Sequence, residues 1–471
     1  MLKQLYQDTQ FINRNLVVRI AIISGLFAFI AAEIFLLVKE KYTYAIILAG
    51  LPLMVMIALF LLQNLHYAPL AILITGAFIP LSLPTGRGSP IVASLALSLG
   101  VAGFWLLKMA VVDKQIALQP SPVNKPAFGF MVVTIISLIW SNLLRDPSIY
   151  VPNVFIFVQL GAAAVMVISP VVMLMVGNFV RQERTLKMMV AVLMVLGVLG
   201  LIENFGHIDL FSNSGGLTSL WVIALCAGTI LFMDDLPKIY RIVFLILGSL
   251  WILWNFILNI SWIAGWLPGI VALGVITFFR SKRAFIFLLV LLAGYYLVNK
   301  SFLAQDINAE TKTSGETRVS AWQANWSVTK DHLLFGTGPA GYAAYYMTLF
   351  PNNAMATHNN YIDIIAETGV VGTFFYLWMF AALVVQGWRL IKRLRGRRDF
   401  YEALSIAAFS GLIACIVIMA FGDWMLPFAY TQTIAGYNYT VYSWLFIGTL
   451  LAVNRITEDT NVIPNHQVST G

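Results

Sequence analysis

Uninterrupted apolar runs of about 20 residues recur along this chain, and nothing in the sequence limits its fold more. A helix of that length crosses roughly 30 Å of hydrocarbon. Closed β-barrels cross with shorter alternating segments, a pattern that these continuous runs do not follow. Of the 471 residues, 60% are hydrophobic and 11% charged, with a mean hydropathy of +0.83. A water-soluble fold of this composition would expose far too much apolar surface. The expected fold class is therefore all-α, a polytopic helical membrane protein.

Apolar runs predict spans at 17–38, 43–62, 67–83, 90–112, 127–144, 154–180, 187–203, 217–234, 239–258, 260–279, 284–299, 370–391, 403–421 and 437–453. That gives fourteen. The third is short and ends in LSLPTG, and two runs abut closely around Asn259 to Ser261, so twelve is the lower count. Nineteen Lys and Arg, from Lys3 and Arg14 to Arg455, fall on one set of connecting segments, against four (Lys39, Lys41, Arg87 and Arg145) on the short turns of the other. By the positive-inside rule both termini are expected to be cytoplasmic and the 300–369 segment extracytoplasmic. The expected organisation is a transmembrane bundle over 1–299, an outer loop with short helices over 300–369, further spans over 370–453 and a tail over 454–471.

The formal charge of +8 would suit nucleic acid, but the basic residues flank apolar runs and form no single patch, so no nucleic-acid partner is expected. Cys226 and Cys415 each lie inside an apolar run, which supports neither a disulfide nor a metal site. Met1 to Arg14 is polar and precedes a span-length run, unlike a cleavable signal. Arg19 and Lys108 sit near cytoplasmic helix ends and are expected to snorkel. Glu33 and Glu203, near outer ends, either face a cavity or reach the interface. Asp423, in AFGDWMLPF, reads as a solvated turn residue.

The outer block, TRVSAWQANWSVTKDHLLFGTGPAGYAAYYMTLFPNNAMATHNNYIDIIAETGVVG, is where chemistry with water-soluble groups has a place. Arg318, Trp322 and Trp326 fall at i, i+4 and i+8 and share one helical face. The indoles suit anchoring at the headgroup level, while the guanidinium offers a planar fork for phosphate oxygens. GTGPAGY at 336–342 makes a sharp turn, too short for a Walker loop. Tyr342, Tyr345 and Tyr346 behind it offer flat faces suited to sugar rings or to the membrane interface. In THNNYIDIIAETGVVG, Thr357 is expected to cap a helix whose first turn carries His358, with Asn359, Asp363 and Glu367 spaced four apart. A first-turn imidazole is held neutral by the helix dipole and accepts protons, although a lone histidine is more often a structural hydrogen-bonder.

These residues resemble the O-antigen ligases and related bacterial polysaccharide polymerases. The family's outer-loop pattern is an Arg followed by Trp, a Gly-x-Gly-Pro turn, then His-Asn before an acidic-Gly stretch entering the next span. Here these are Arg318 and Trp322, GTGPAGY, and HNNYIDIIAETGVVG at 358–372. The resemblance implies a metal-independent, inverting glycosyltransferase without a cofactor, acting in cell-envelope and lipopolysaccharide biosynthesis. Its donor would be a glycan on undecaprenyl diphosphate and its acceptor a sugar hydroxyl of a lipid-linked core or growing chain, amid membrane lipids. His358 matches the acceptor-activating histidine and Arg318 an arginine that engages the diphosphate. Trp322, Tyr342, Asn359, Asp363 and Glu367 are expected near substrate. A second family arginine, in a Ser-Arg-Gly-like element, has no counterpart at Ser261–Trp262, and Arg87, Arg145 or Lys300 are the candidates to replace it. Ligase and polymerase share this pattern; a transporter of lipid-linked sugars would require repeat symmetry and mid-bilayer charges, and a non-catalytic structural partner is the third alternative.

Overall fold

A computed structural model describes residues 23–25, 27–83, 90–115, 118–151, 153–208, 210, 214–259, 263–299, 316–349 and 356–461. Arg19, Arg87, Ser261, Trp262 and Lys300 lie outside them. The described residues are almost wholly helical: α1 (Ile23–Val38), α2 (Tyr42–Gln63), α3 (Ala68–Phe78), α4 (Ala93–Leu107), α5 (Asn124–Leu143), α6 (Phe155–Phe179), α7 (Glu183–Gly206), α8 (Thr218–Phe232) and α9 (Lys238–Ile252). They continue with α10 (Ile263–Arg280), α11 (Lys282–Val298), α12 (Glu316–Thr329), α13 (Gly341–Leu349), α14 (Asn360–Leu394), α15 (Phe400–Ile418) and α16 (Tyr437–Asn461). One two-residue hairpin pairs β1 (Ser82–Leu83) with β2 (Ile91–Val92). Single π-helical turns extend α4 over Lys108–Asp113 and α9 over Leu253–Leu258.

Helices lie along the expected apolar runs where these are described, but fewer of them than the expected twelve to fourteen are of crossing length. Among the described residues eight are long and apolar enough to cross a membrane, and Ile23–Val38, Leu65–Phe78 and Thr218–Phe232 are shorter apolar helices. The third run shows why. Its helix stops at Phe78, and Pro80 follows, a residue that cannot continue the helical ladder.

The chain divides into two compact units, 1–65 and 66–471, and the second holds everything below. Its centre is α16, which packs against α6, α3 and α15, while α15 also packs on α8 and α10. Central helices bury both lipid-type and polar side chains. Trp221 of α8 stacks on Phe446 and donates its indole N–H to Ser443 at 2.9 Å, and Tyr437 donates to Ser98 at 2.9 Å. In hydrocarbon such groups need internal partners, and these have them. Gly411 gives Trp221 its room, since a Cβ there would lie 2.3 Å from the indole. At the basic end, Arg398 grips Asp234 through two bonds of 2.7 and 3.1 Å, joining the α8–α9 and α14–α15 turns.

Helix α14 positions the site. Its 35 residues contain one break, at Gly369 (φ 67, ψ −170), which separates a polar leading segment from the apolar remainder. A residue with a Cβ would collide there with the Leu334 carbonyl, 2.4 Å away.

Candidate active site

The GTGP turn is a clasp that locks the outer block to this break. Thr337 N–H donates to the Ala366 carbonyl at 2.8 Å and Gly338 N–H to the Glu367 carbonyl at 3.0 Å, while Val370 N–H returns to Leu333 at 2.7 Å. Gly336 and Gly338 have φ of +71° and +85°, the region open to glycine, and a Cβ on Gly336 would sit 2.4 Å from the Glu367 backbone. From α5, the Ser137 hydroxyl reaches the carbonyls of both Phe335, at 2.6 Å, and Glu367.

Above this clasp three segments converge on His358. Asn359, not Thr357, caps α14: its side chain accepts the N–H groups of Tyr361 (3.0 Å) and Ile362 (3.3 Å). His358 therefore precedes the helix instead of occupying its first turn, with φ +50°, a strained value of the kind that gathers at functional sites. Asn360 then rivets α14 to the α15–α16 loop. Its N–H donates to the Met419 carbonyl (2.8 Å), its side-chain amide donates to Leu426 (2.8 Å), and its oxygen accepts the N–H of Met425 (3.0 Å).

The rivet carries Asp423 to the imidazole. Asp423 is no solvated turn residue: it is 1% exposed, its Oδ2 accepts from Thr431 at 2.7 Å, and its Oδ1 lies 3.6 Å from His358 Nδ1 without a closer partner. The imidazole side chain is 47% exposed. A buried carboxylate thus sits behind an open imidazole, whose other nitrogen is left for a ligand. The Asp423 carboxylate raises the pKa of His358 above its ordinary 6.5, against the opposing effects of partial burial and the nearby Arg318 guanidinium. This reverses the expected dipole-lowered imidazole, because the carboxylate outweighs a helix end that His358 does not enter.

Arg318, on α12, is close enough to His358 to oppose its protonation, and its Nε is buried with no hydrogen-bond partner among the described residues. A guanidinium donor of this kind suits an oxygen acceptor such as a phosphate. Trp322 does not face the headgroups with Trp326. Its indole donates to the Thr357 carbonyl at 2.8 Å and holds α12 beside His358, while Trp326 is 54% exposed.

The remaining expected residues form the support. Tyr342 is 1% exposed, stacks on Phe428 at 4.7 Å, and donates to Asp363 at 2.7 Å; burial and the adjacent carboxylates push its phenol well above the ordinary range, so it stays a donor. Asp363 also accepts from the Thr357 hydroxyl, and Glu367 accepts the Ala340 N–H at 2.8 Å. Asn359, Asp363 and Glu367 are all under 9% exposed. The void beside these two carboxylates is about 10 Å³, room for one water at most. A substrate would therefore lie above them, against the open side of His358. Arg145 is bound to Asn142 (2.8 Å) and Gln159 (3.1 Å) and set over the Phe155 ring. Glu203 accepts from Leu210 N–H and Ser214, closing the turn after α7.

The sequence reading gave Asp423 no part in the site and did not single out Asn360. A lone carboxylate in the apolar run AFGDWMLPF was the available signal, since burial of such a group requires a partner. Comparison with curated proteins finds none that matches the chain. Residues 222–377, which include Arg318, the clasp and His358 but end before Asp423, match the family model for O-antigen ligase. This third of the chain is thus similar to the O-antigen ligase family, within a chain whose many apolar helices suit a multi-pass membrane protein.

Proposed function

We propose that this chain transfers a glycan from undecaprenyl diphosphate to a sugar hydroxyl at the extracytoplasmic face of the inner membrane, as a ligase of cell-surface polysaccharide. The observation that carries this reading is the half-exposed His358 backed by the buried Asp423 at 3.6 Å, beside Arg318, whose buried Nε has no hydrogen-bond partner among the described residues. The family supports a ligase or polymerase type of function, and ligase and polymerase differ in acceptor, not in chemistry.

In the proposed step His358 takes the proton of the acceptor hydroxyl at Nε2 while its Nδ1–H faces Asp423. The acceptor oxygen forms a bond to the anomeric carbon from the side opposite the diphosphate, and the carbon–oxygen bond to the diphosphate breaks with its electron pair. The configuration inverts, and undecaprenyl diphosphate leaves. Asp423 positions the imidazole and stabilises the imidazolium that develops, as a carboxylate does for a catalytic histidine. Arg318 neutralises charge gathering on the departing diphosphate. Arg145 is engaged by Asn142 and Gln159, which gives it a structural duty whatever further role it has.

Purified chain in liposomes, supplied with lipid-linked glycan and a lipid-linked sugar acceptor, tests the reading. The expected result is a glycosylated acceptor with release of undecaprenyl diphosphate, abolished by His358→Ala at unchanged protein level. Normal transfer by that variant removes the general-base assignment. In cells, loss of the gene that leaves free lipid-linked polymer indicates a ligase, and accumulation of single repeat units indicates a polymerase.

A further inference from the structure

Between α10, α11, α14 and α15 runs a groove of about 510 Å³ lined only by apolar side chains, among them Gly274, Phe278, Phe285, Leu289, Trp388 and Phe409. It lies in the half of the bundle away from His358. From Ile270 to Phe279 it follows α10 for about 14 Å, close to the half-thickness of a bilayer's hydrocarbon. Nothing protein-made fills it among the described residues: α11 buries none of its side chains and packs chiefly on α10.

The mouth of the groove is cationic. Arg280, Lys282 and Arg283 form the α10–α11 turn, and Lys392 sits 5.3 Å over the ring of Trp388, which lines the groove. None of the four forms an ion pair among the described residues. Positive turns alone would follow from topology, but here they cap an apolar slot one leaflet deep.

We infer that the groove between α10, α11, α14 and α15 is a binding site for one anionic phospholipid of the inner leaflet, an acyl chain lying in the slot and the phosphate meeting Lys392 and the α10–α11 turn. The inference rests on the orientation proposed above, not on the transfer chemistry. Basic pockets between helices on the cytoplasmic side bind anionic headgroups in this way. The slot's single-leaflet depth suits an acyl chain better than a long prenyl carrier.

Native mass spectrometry of the purified full-length chain, titrated with phosphatidylglycerol or phosphatidylcholine of equal chain length, tests it. The expected result is one retained phosphatidylglycerol per chain in preference to phosphatidylcholine. Gly274→Leu fills the slot, because a Cβ at Gly274 meets only the Phe285 ring, at 3.8 Å, and abolishes retention. Arg283→Gln and Lys392→Gln, which leave the slot intact, each lower the preference about fivefold. Equal retention of the two lipids, retention untouched by all three variants, or occupancy by a polyprenyl phosphate or a second copy of the chain overturns the inference. These variants lie far from His358, so glycan transfer measured on the same preparations tests the proposed function separately.

Discussion

Replacing Asp423 with asparagine removes a charge from behind His358 while keeping the side chain's shape and an oxygen for Thr431 to donate to. At 3.6 Å, two unit charges attract by about 1 kcal/mol in water and about 5 kcal/mol at an effective dielectric of about 20. The carboxylate is buried but the imidazole is half-exposed, and solvent screening leaves about 1–2 kcal/mol of that attraction. This corresponds to about one pKa unit. In wild type, His358 must lose its proton before it accepts another, so transfer climbs as pH rises through a pKa raised above 6.5. In Asp423→Asn the midpoint of that climb moves about one unit to the acid side. The alkaline plateau falls roughly 10- to 100-fold, because a general base contributes about 10²–10⁴ and loses part of its orientation and charge stabilisation. The deficit therefore narrows toward acid pH, where the variant carries more neutral imidazole. Initial rates of acceptor glycosylation in liposomes, followed from about pH 5 to 9, read both quantities. A variant with the wild-type midpoint and plateau would show that Asp423 does not act through His358.

Four other outcomes follow from the same geometry. Trp322→Phe keeps the ring but frees the Thr357 carbonyl, and transfer is expected to fall about tenfold, since the lost bond is worth about 1 kcal/mol and the histidine backbone loosens; an unchanged rate counts against this strut. Arg318→Lys substitutes a point charge for a planar fork and is expected to raise KM for the lipid-linked donor at least about tenfold, with unaltered donor kinetics as the refuting result. Gly338→Ala places a Cβ 2.1 Å from the Ser141 hydroxyl and is expected to cost at least about 2 kcal/mol, seen as a lower Tm in detergent; a wild-type Tm would mean that the clasp gives way freely. The raised pKa of His358 also means that its pairing with Asp423 stabilises the fold below about pH 6.5 and that this contribution is lost as pH rises through the folded-state value. Asp423→Asn should accordingly flatten that part of the Tm-versus-pH curve.

The helical class was legible because hydrocarbon demands long apolar helices, and hydropathy reports that demand directly, although eight helices of crossing length stand among the described residues where twelve to fourteen spans were expected. The outer block was legible as a cluster, since His358, Arg318 and the glycine turn stand out against apolar neighbours. What each polar residue touches was not. Periodicity put Trp322 and Trp326 on one face, yet one indole turns inward because the Thr357 carbonyl needs a donor and the other faces out. Tyr342, read as an open face for a sugar or for the membrane interface, is buried, with its hydroxyl donated to Asp363. Asp423 was read as a solvated turn residue because its partner is 65 residues earlier in the sequence, and no local pattern encodes a contact made by two helices crossing the membrane and returning.

That return path has a mechanical consequence. His358 and Asp423 hang from the two arms of one hairpin, α14 and α15, whose bend is at the opposite surface, pinned by Arg398 and Asp234. The spacing of the dyad is therefore gauged by how the arms register along their whole length. A single residue inserted midway along α15 would turn its outer half by about 100° and shift it about 1.5 Å. Transfer should stop in such a variant although every side chain of the reacting centre is still encoded, and a second insertion that restores the register on the neighbouring arm should not recover it unless Asn360 again meets Leu426.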